Sequence, residues 1–219
     1  MIPVALAAEP PDFDVKVRQK GLNAIAELVG EKPSRARRGR KRKKIAKKRS
    51  EIPADAFPPY WREVLPDMLE SYHRLCAYLG LYIEHATGSP SVDHVVPKSK
   101  AWDKVYEWSN YRLACALVNA RKNDVELALD PFEISEGLFA LELVEFQVVV
   151  GPAAQGEVAA RVGTSIKTLG LNELDCRKAR REYVESYEAG HIDLPYLMRR
   201  APFIAQEMRR QGRLLRGDI

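Results

Sequence analysis

Between Arg35 and Arg49 the chain reads RARRGRKRKKIAKKR, eleven Lys or Arg with no acidic residue. Charge at that density has no apolar face with which to order itself, so it interrupts any hydrophobic core. Residues 31–56, which also contain Pro33, Gly39 and Pro53, are therefore expected to form a mobile basic linker or arm. The whole chain carries a formal charge of +5, so everything outside the tract sums to 5 − 11 = −6. Basicity this local suits a polyanionic partner held by an arm rather than by the whole surface.

The remainder of the 219 residues has an ordinary globular balance, 46% hydrophobic and 30% charged over the full chain. Cys76, Cys115 and Cys176 are an odd number in a chain large enough to fold by burial, which argues for reduced thiols and a cytoplasmic setting. The opening MIPVALAAEPPDFD lacks the basic flank of a secretory leader. Glu142 and Glu145 interrupt the most hydrophobic segment, so no membrane span is expected.

Apolar positions Val15, Leu22, Ile25 and Leu28 recur at helical spacing up to Gly30. Trp61, Leu65, Met68, Leu69, Tyr72 and Leu75 repeat in the same way and predict a second helix. YLGLYIE then reads as a strand, TGSPS as a loop and SVDHVV as the partner strand. A helical stretch is expected over roughly 112–129, and a strand or tight hairpin over 139–150. Further on, Asn172 is expected to cap a helix that Gly190 ends, and Pro202 to interrupt another.

The stretch SVDHVVPKSKAWDKVYEWSNYRLACALVNARKND concentrates chemistry-bearing residues. Asp93 offers a carboxylate and Asn119 an amide oxygen, hard donors suited to Mg²⁺ or Mn²⁺. His94 can accept a proton at neutral pH. Asp93 and His94 with Pro97, then Asn110, Cys115, Asn119 and Lys122 at intervals of five, four and three residues, closely resemble the HNH endonuclease pattern. That resemblance implies a metal-dependent phosphodiester hydrolase with Asp93 and Asn119 as ligands of one divalent cation. It further implies His94 as general base and Asn110 as the residue that holds the loop and orients His94. Nucleic acid, DNA in preference to RNA, is the expected substrate, with phosphate contacts from Lys98, Lys100, Arg112 and Lys122 near the site. Arg35, Arg37, Arg38, Arg40, Lys41, Arg42, Lys43 and Lys44 of the arm are expected to add further contacts.

Many HNH proteins carry two C-x-x-C pairs that hold a structural zinc; here Leu79 and Val118 replace the second cysteine of each pair. Two thiols fall short of the four ligands a structural zinc needs, so none is expected. Tyr106, Trp108 and Tyr111 around Asn110 are expected to brace the loop, with base stacking as the alternative. More loosely, CAYL, DPFEI, TSIKTLGLN and an Arg-rich helix are similar to bacterial HNH proteins of the Septu and retron-associated defence type, where the nuclease is often paired with an ATPase. An anti-phage role and an ATPase partner are thus implied by the resemblance. Two other outcomes stay open: an HNH-like binding module without turnover, and a nuclease subunit active only with its ATPase.

The expected fold is α+β and mostly helical, with a ββα-metal (HNH) unit flanked by N- and C-terminal helices. Residues 1–30 would form a helical segment and 57–130 the nuclease core. Residues 131–219 would form a hairpin and helical region packed on that core.

Overall fold

A computed structural model describes residues 1–35 and 39–218. Arg37 and Arg38, expected among the nucleic-acid contacts, lie outside the described residues. The chain is α+β, with helices in the majority and two small antiparallel sheets.

The first helix begins as a π-helical turn at Asp14–Arg18 and continues as α1 (Gln19–Val29). Gly30, with φ +80°, closes it in the left-handed conformation that glycine adopts without strain. Its buried stripe is Phe13, Val17, Ala24, Ile25 and Leu28, whereas Val15 and Leu22 are exposed, contrary to the expected face. The ring of Phe13 decides the orientation by seating edge-on against Trp108 and Tyr111, at centroid distances of 5.7 and 5.9 Å.

The basic segment is less free than its composition implies. The amides of Ile45 and Ala46 donate to the Leu28 carbonyl at 2.9 and 3.2 Å, and Ala46, Ile52 and Phe57 are buried. Helix α1 leaves an unpaired carbonyl near its C-terminus, and that acceptor fixes the returning chain where charge alone would not.

Trp61 lies in a 3₁₀ turn, Tyr60–Val64, that leads into α2 (Leu65–Ser71). The expected strand over 78–84 is instead a turn, folded back by Gly80 (φ +61°), by the Gly80 amide on the Cys76 carbonyl and by the Cys76 amide on the Leu81 carbonyl. It contributes only an isolated bridge between Leu75 and Tyr82. β1 (Pro90–His94) pairs antiparallel with β2 (Tyr111–Cys115), placing Asp93 opposite Arg112 and His94 opposite Tyr111. α3 (Ala116–Lys122) follows without a break and stops at Asn123, whose φ is +47°. The helix expected from Arg112 is therefore shorter at both ends, because β1 draws Arg112–Cys115 into a sheet.

The C-terminal part comprises the hairpin β3 (Phe139–Leu141) and β4 (Val148–Val150), then α4 (Gly156–Thr168), α5 (Leu174–Glu188), α6 (Leu194–Arg200) and α7 (Pro202–Arg210). Asn172 does not cap α5. Its side chain exchanges two hydrogen bonds with the Val148 backbone, at 2.7 and 2.8 Å, and so fastens the hairpin. This part joins the centre through Tyr82 N–H on the Arg200 carbonyl (2.8 Å), Arg161 on the Ala128 carbonyl and Arg121 on the Gly170 carbonyl. One hydrophobic cluster runs through all regions. No helix among the described residues is long and apolar enough to cross a membrane.

Helix α1 approaches the Tyr106 ring closely. A Cβ on Gly21 would stand 2.1 Å from Tyr106 Cδ2, well inside contact distance. Gly21→Ala should therefore destabilise the protein by about 1–3 kcal/mol in urea unfolding, although alanine favours an isolated helix by about 1 kcal/mol. Unchanged or raised stability would show that Tyr106 yields without cost.

Candidate active site at the end of β1

The site is built by three consecutive elements, β1, β2 and α3, and by the loop that joins the two strands. Asn110 secures that loop. Its Oδ1 accepts from Val96 N–H at 2.8 Å, its Nδ2 donates to the carbonyls of Val96 (3.1 Å) and Lys104 (3.0 Å), and its own carbonyl accepts from Val95 N–H at 3.0 Å. An amide side chain carries both donors and an acceptor, so it can replace strand pairing where the chain leaves the sheet.

His94 closes β1 and is 7% exposed. Its ring meets Trp61 and Tyr111 edge-on, at 4.8 and 5.1 Å between centroids. Nε2 lies 3.0 Å from the Val105 carbonyl, which can only accept, so Nε2 bears the proton and Nδ1 is the basic nitrogen. Nothing among the described residues donates to Nδ1. Burial, with smaller contributions from the charges of Lys98 and Lys122, pushes the imidazole down to about 3, although the Val105 contact opposes this. The ring is neutral throughout the physiological range.

Asp93 is 3% exposed, and both of its oxygens are engaged. Lys122 Nζ lies 3.0 Å from Oδ1 and also donates to the His94 carbonyl at 2.8 Å, while the Tyr78 hydroxyl donates to Oδ2. Lys122 has no solvent exposure. The expectation that Lys122 contacts phosphate is thus corrected: its ammonium is consumed inside the fold by a carboxylate and a carbonyl. Arg112 is corrected in the same way. It is 2% exposed, bonds both oxygens of Asp130 and the carbonyls of Ser109 and Tyr111, and lies 3.4 Å over the Phe132 ring.

Asn119, half-buried on α3, donates from Nδ2 to Ser91 Oγ at 3.2 Å, and its Oδ1 has no partner among the described residues. Asp93, His94, Asn119 and Lys98 all line one cavity of about 710 Å³, together with Asp55, Trp61, Arg62, Ser91, Asn123 and Asp124. Lys98 Nζ stands 4.7 Å over the Trp61 ring. Lys100 lies outside this lining, exposed and paired with Glu126 at 3.2 Å. In the arm, Arg42 is held by Glu27 (2.9 Å) and the Tyr60 hydroxyl (2.8 Å), so it braces the fold and is not a free contact. Arg35, Arg40, Lys41, Lys43 and Lys44 are exposed.

Tyr78, Ser91 and Trp61 belong to the site without having been singled out for it. Tyr78 and Ser91 sit in CAYL and SPSVDH without a spacing that marks them, and Trp61 reads as one more apolar helix position. Among the described residues, no three His, Cys, Asp or Glu side chains converge as a metal cluster. The donor chemistry still fits a hard cation: Asn119 Oδ1 is unpaired, and each Asp93 oxygen keeps a lone pair beyond its one hydrogen bond. Lys122 competes for the same carboxylate. No protein-family model matches the chain, and no curated protein matches it either.

Removing one member of a buried ion pair leaves the other charge uncompensated. Lys122→Met should cost about 3–5 kcal/mol of stability, and Asp93→Asn added to it should recover much of that loss. Two additive losses would show that the pair is not coupled. A second test concerns pH. Below about 6.5 the unfolded chain binds a proton at His94 that the folded chain refuses, so stability present above that pH falls as pH drops toward 3. Between pH 6.5 and 5.0 wild type should lose roughly 1–2 kcal/mol more than His94→Gln. Parallel curves for the two proteins would contradict a buried neutral His94.

Proposed function

We propose that this protein is a metal-dependent endonuclease of the HNH type that hydrolyses phosphodiester bonds in nucleic acid, DNA in preference to RNA. The observation that carries this reading is His94, a neutral imidazole with Nε2–H fixed on a carbonyl and Nδ1 unpaired at a cavity that also takes in Asp93, Asn119 and Lys98. The order β1, β2, α3, with Asp93 and His94 ending one strand and Asn119 on the helix, is the arrangement a ββα-metal unit would require.

A Mg²⁺ or Mn²⁺ held by Asp93 and Asn119 would supply charge to a phosphate oxygen and a water of lowered pKa. His94 Nδ1 would take a proton from the attacking water, and the Val105 carbonyl would hold the ring orientation while positive charge develops on it. Lys98, half-buried in the cavity lining, would meet a phosphate oxygen. The exposed Arg35, Arg40, Lys41, Lys43 and Lys44 would hold the polyanion without reading sequence.

One observation favours a second reading. Both Asp93 oxygens are already bonded, so a cation must share or displace the Lys122 ammonium. A nuclease subunit that turns over only after a partner such as an ATPase alters this arrangement, or a binding module without turnover, would retain such a lock. Cleavage of supercoiled plasmid, single-stranded DNA and RNA in Mg²⁺ or Mn²⁺ should separate the cases. His94→Ala should lower the rate by about 10²–10⁴-fold, and Asn119→Ala should raise the metal concentration needed. Equal cleavage by wild type and His94→Ala would reject the general-base role, and binding without cleavage under either metal would favour the second reading.

A further inference from the structure

Behind the site, two cysteines distant in sequence meet. Cys76 lies in the turn that carries Tyr78, and Cys115 ends β2 immediately before α3. The Cys115 amide donates to Cys76 Sγ at 3.4 Å, which brings the two side chains together. Their environments differ. Cys76 is 1% exposed, whereas Cys115 is half-buried and is followed by exposed Ala116 and Leu117. The places where further cysteines could make a metal cage are filled by Leu79, half-buried, and Val118, fully buried, and no third His, Cys, Asp or Glu completes a ligand set among the described residues.

We propose that Cys76 and Cys115 are a peroxide-reactive thiol pair that closes to an intrachain disulfide, Cys115 attacking the oxidant and Cys76 resolving. The Cys76 side chain, opposed by burial and helped by the amides of Val118 and Leu117, draws Cys115 down to about 6. Burial, followed by the proximity of Cys115, holds Cys76 well above the ordinary thiol range. At neutral pH the reachable sulfur is thus a thiolate and the buried one a thiol.

The chemistry balances with a hydroperoxide as oxidant. Cys115 thiolate forms an S–O bond as the O–O bond of hydrogen peroxide breaks, and the departing hydroxide takes a proton and leaves as water. The sulfur of Cys76 then displaces the hydroxyl of the Cys115 sulfenic acid, and that hydroxyl leaves with the Cys76 proton as a second water. Two thiols lose two electrons, peroxide gains them, and one disulfide forms. The new bond would tie the turn bearing the Tyr78–Asp93 contact to the start of the helix bearing Asn119 and Lys122. Cys176 takes no part: it is buried on α5 beside the Arg121 guanidinium at 3.3 Å.

The test reads covalent state in the intact protein and is independent of any cleavage activity. On titration with hydrogen peroxide at pH 7, Cys76 and Cys115 should disappear together, non-reducing peptide mapping should recover them cross-linked, and Cys176 should stay reduced. Reaction rate should rise with pH around a midpoint of about 6. Cys76→Ser should leave a sulfenic acid on Cys115 that a 1,3-dione traps, and Cys115→Ser should spare Cys76. Independent loss of the two thiols, over-oxidation of Cys115 in wild type without a cross-link, or stoichiometric zinc retained on the pair would each overturn the proposal.

Discussion

The contact on which the site depends is the buried ion pair between Asp93 and Lys122. An ammonium and a carboxylate are costly to remove from water, and only close geometry with further hydrogen bonds offsets that cost. Here the further bonds are present: the His94 carbonyl receives Lys122, and the Tyr78 hydroxyl completes Asp93. The pair spans the last turn of α3 and the end of β1, so it sets how the helix lies on the sheet. An apolar contact of equal volume would hold the helix as firmly but would tolerate rotation about its axis. The directional bonds do not, and they thereby fix where Asn119, one turn earlier, meets the cavity.

Around that pair, the protein uses aromatic packing to keep His94 uncharged. Trp61 arrives from the segment after the basic arm, Tyr111 from β2, and Phe13 from the N-terminal region supports Tyr111 from behind. Each comes from a different part of the chain. This explains why the flanking regions are inseparable from the site: residues 90–122 alone could bury neither His94 nor Lys122. The same dependence accounts for the anchoring of residues 45–57, since the chain must pass the end of α1 to bring Trp61 over the imidazole.

The environment of His94 also constrains its chemistry. A ring drawn down to about 3 is reliably neutral yet only a weak base toward ordinary water. In the proposed function, proton abstraction by such a group would be effective if the water itself were made more acidic, as a cation on neighbouring oxygen donors would do. Neutral imidazole, hard donors and a cavity are consistent with the proposed function, in which the engagement of Asp93 by Lys122 would be the contact an incoming cation must meet.

Much of this was legible in the sequence where the cause is local. The ends of helices at Gly30 and Gly190 and the hairpin beyond Gly137 follow from residue type and spacing, because turns and caps are short-range, whereas Asp93, His94, Asn110 and Asn119 stood out through a resemblance to the HNH pattern. What the sequence could not decide is which segment pairs with which and which charges go inside. YLGLYIE has strand composition but turns back at Gly80, leaving β1 to pair with Tyr111–Cys115, of which Arg112–Cys115 read as helix. Arg112 and Lys122 look like surface cations, yet Asp130 and Asp93, 18 and 29 positions away, draw them into the interior. Burial of a charge depends on a partner that only tertiary structure brings within reach, and that is why a lysine in the sequence became the centre of the fold.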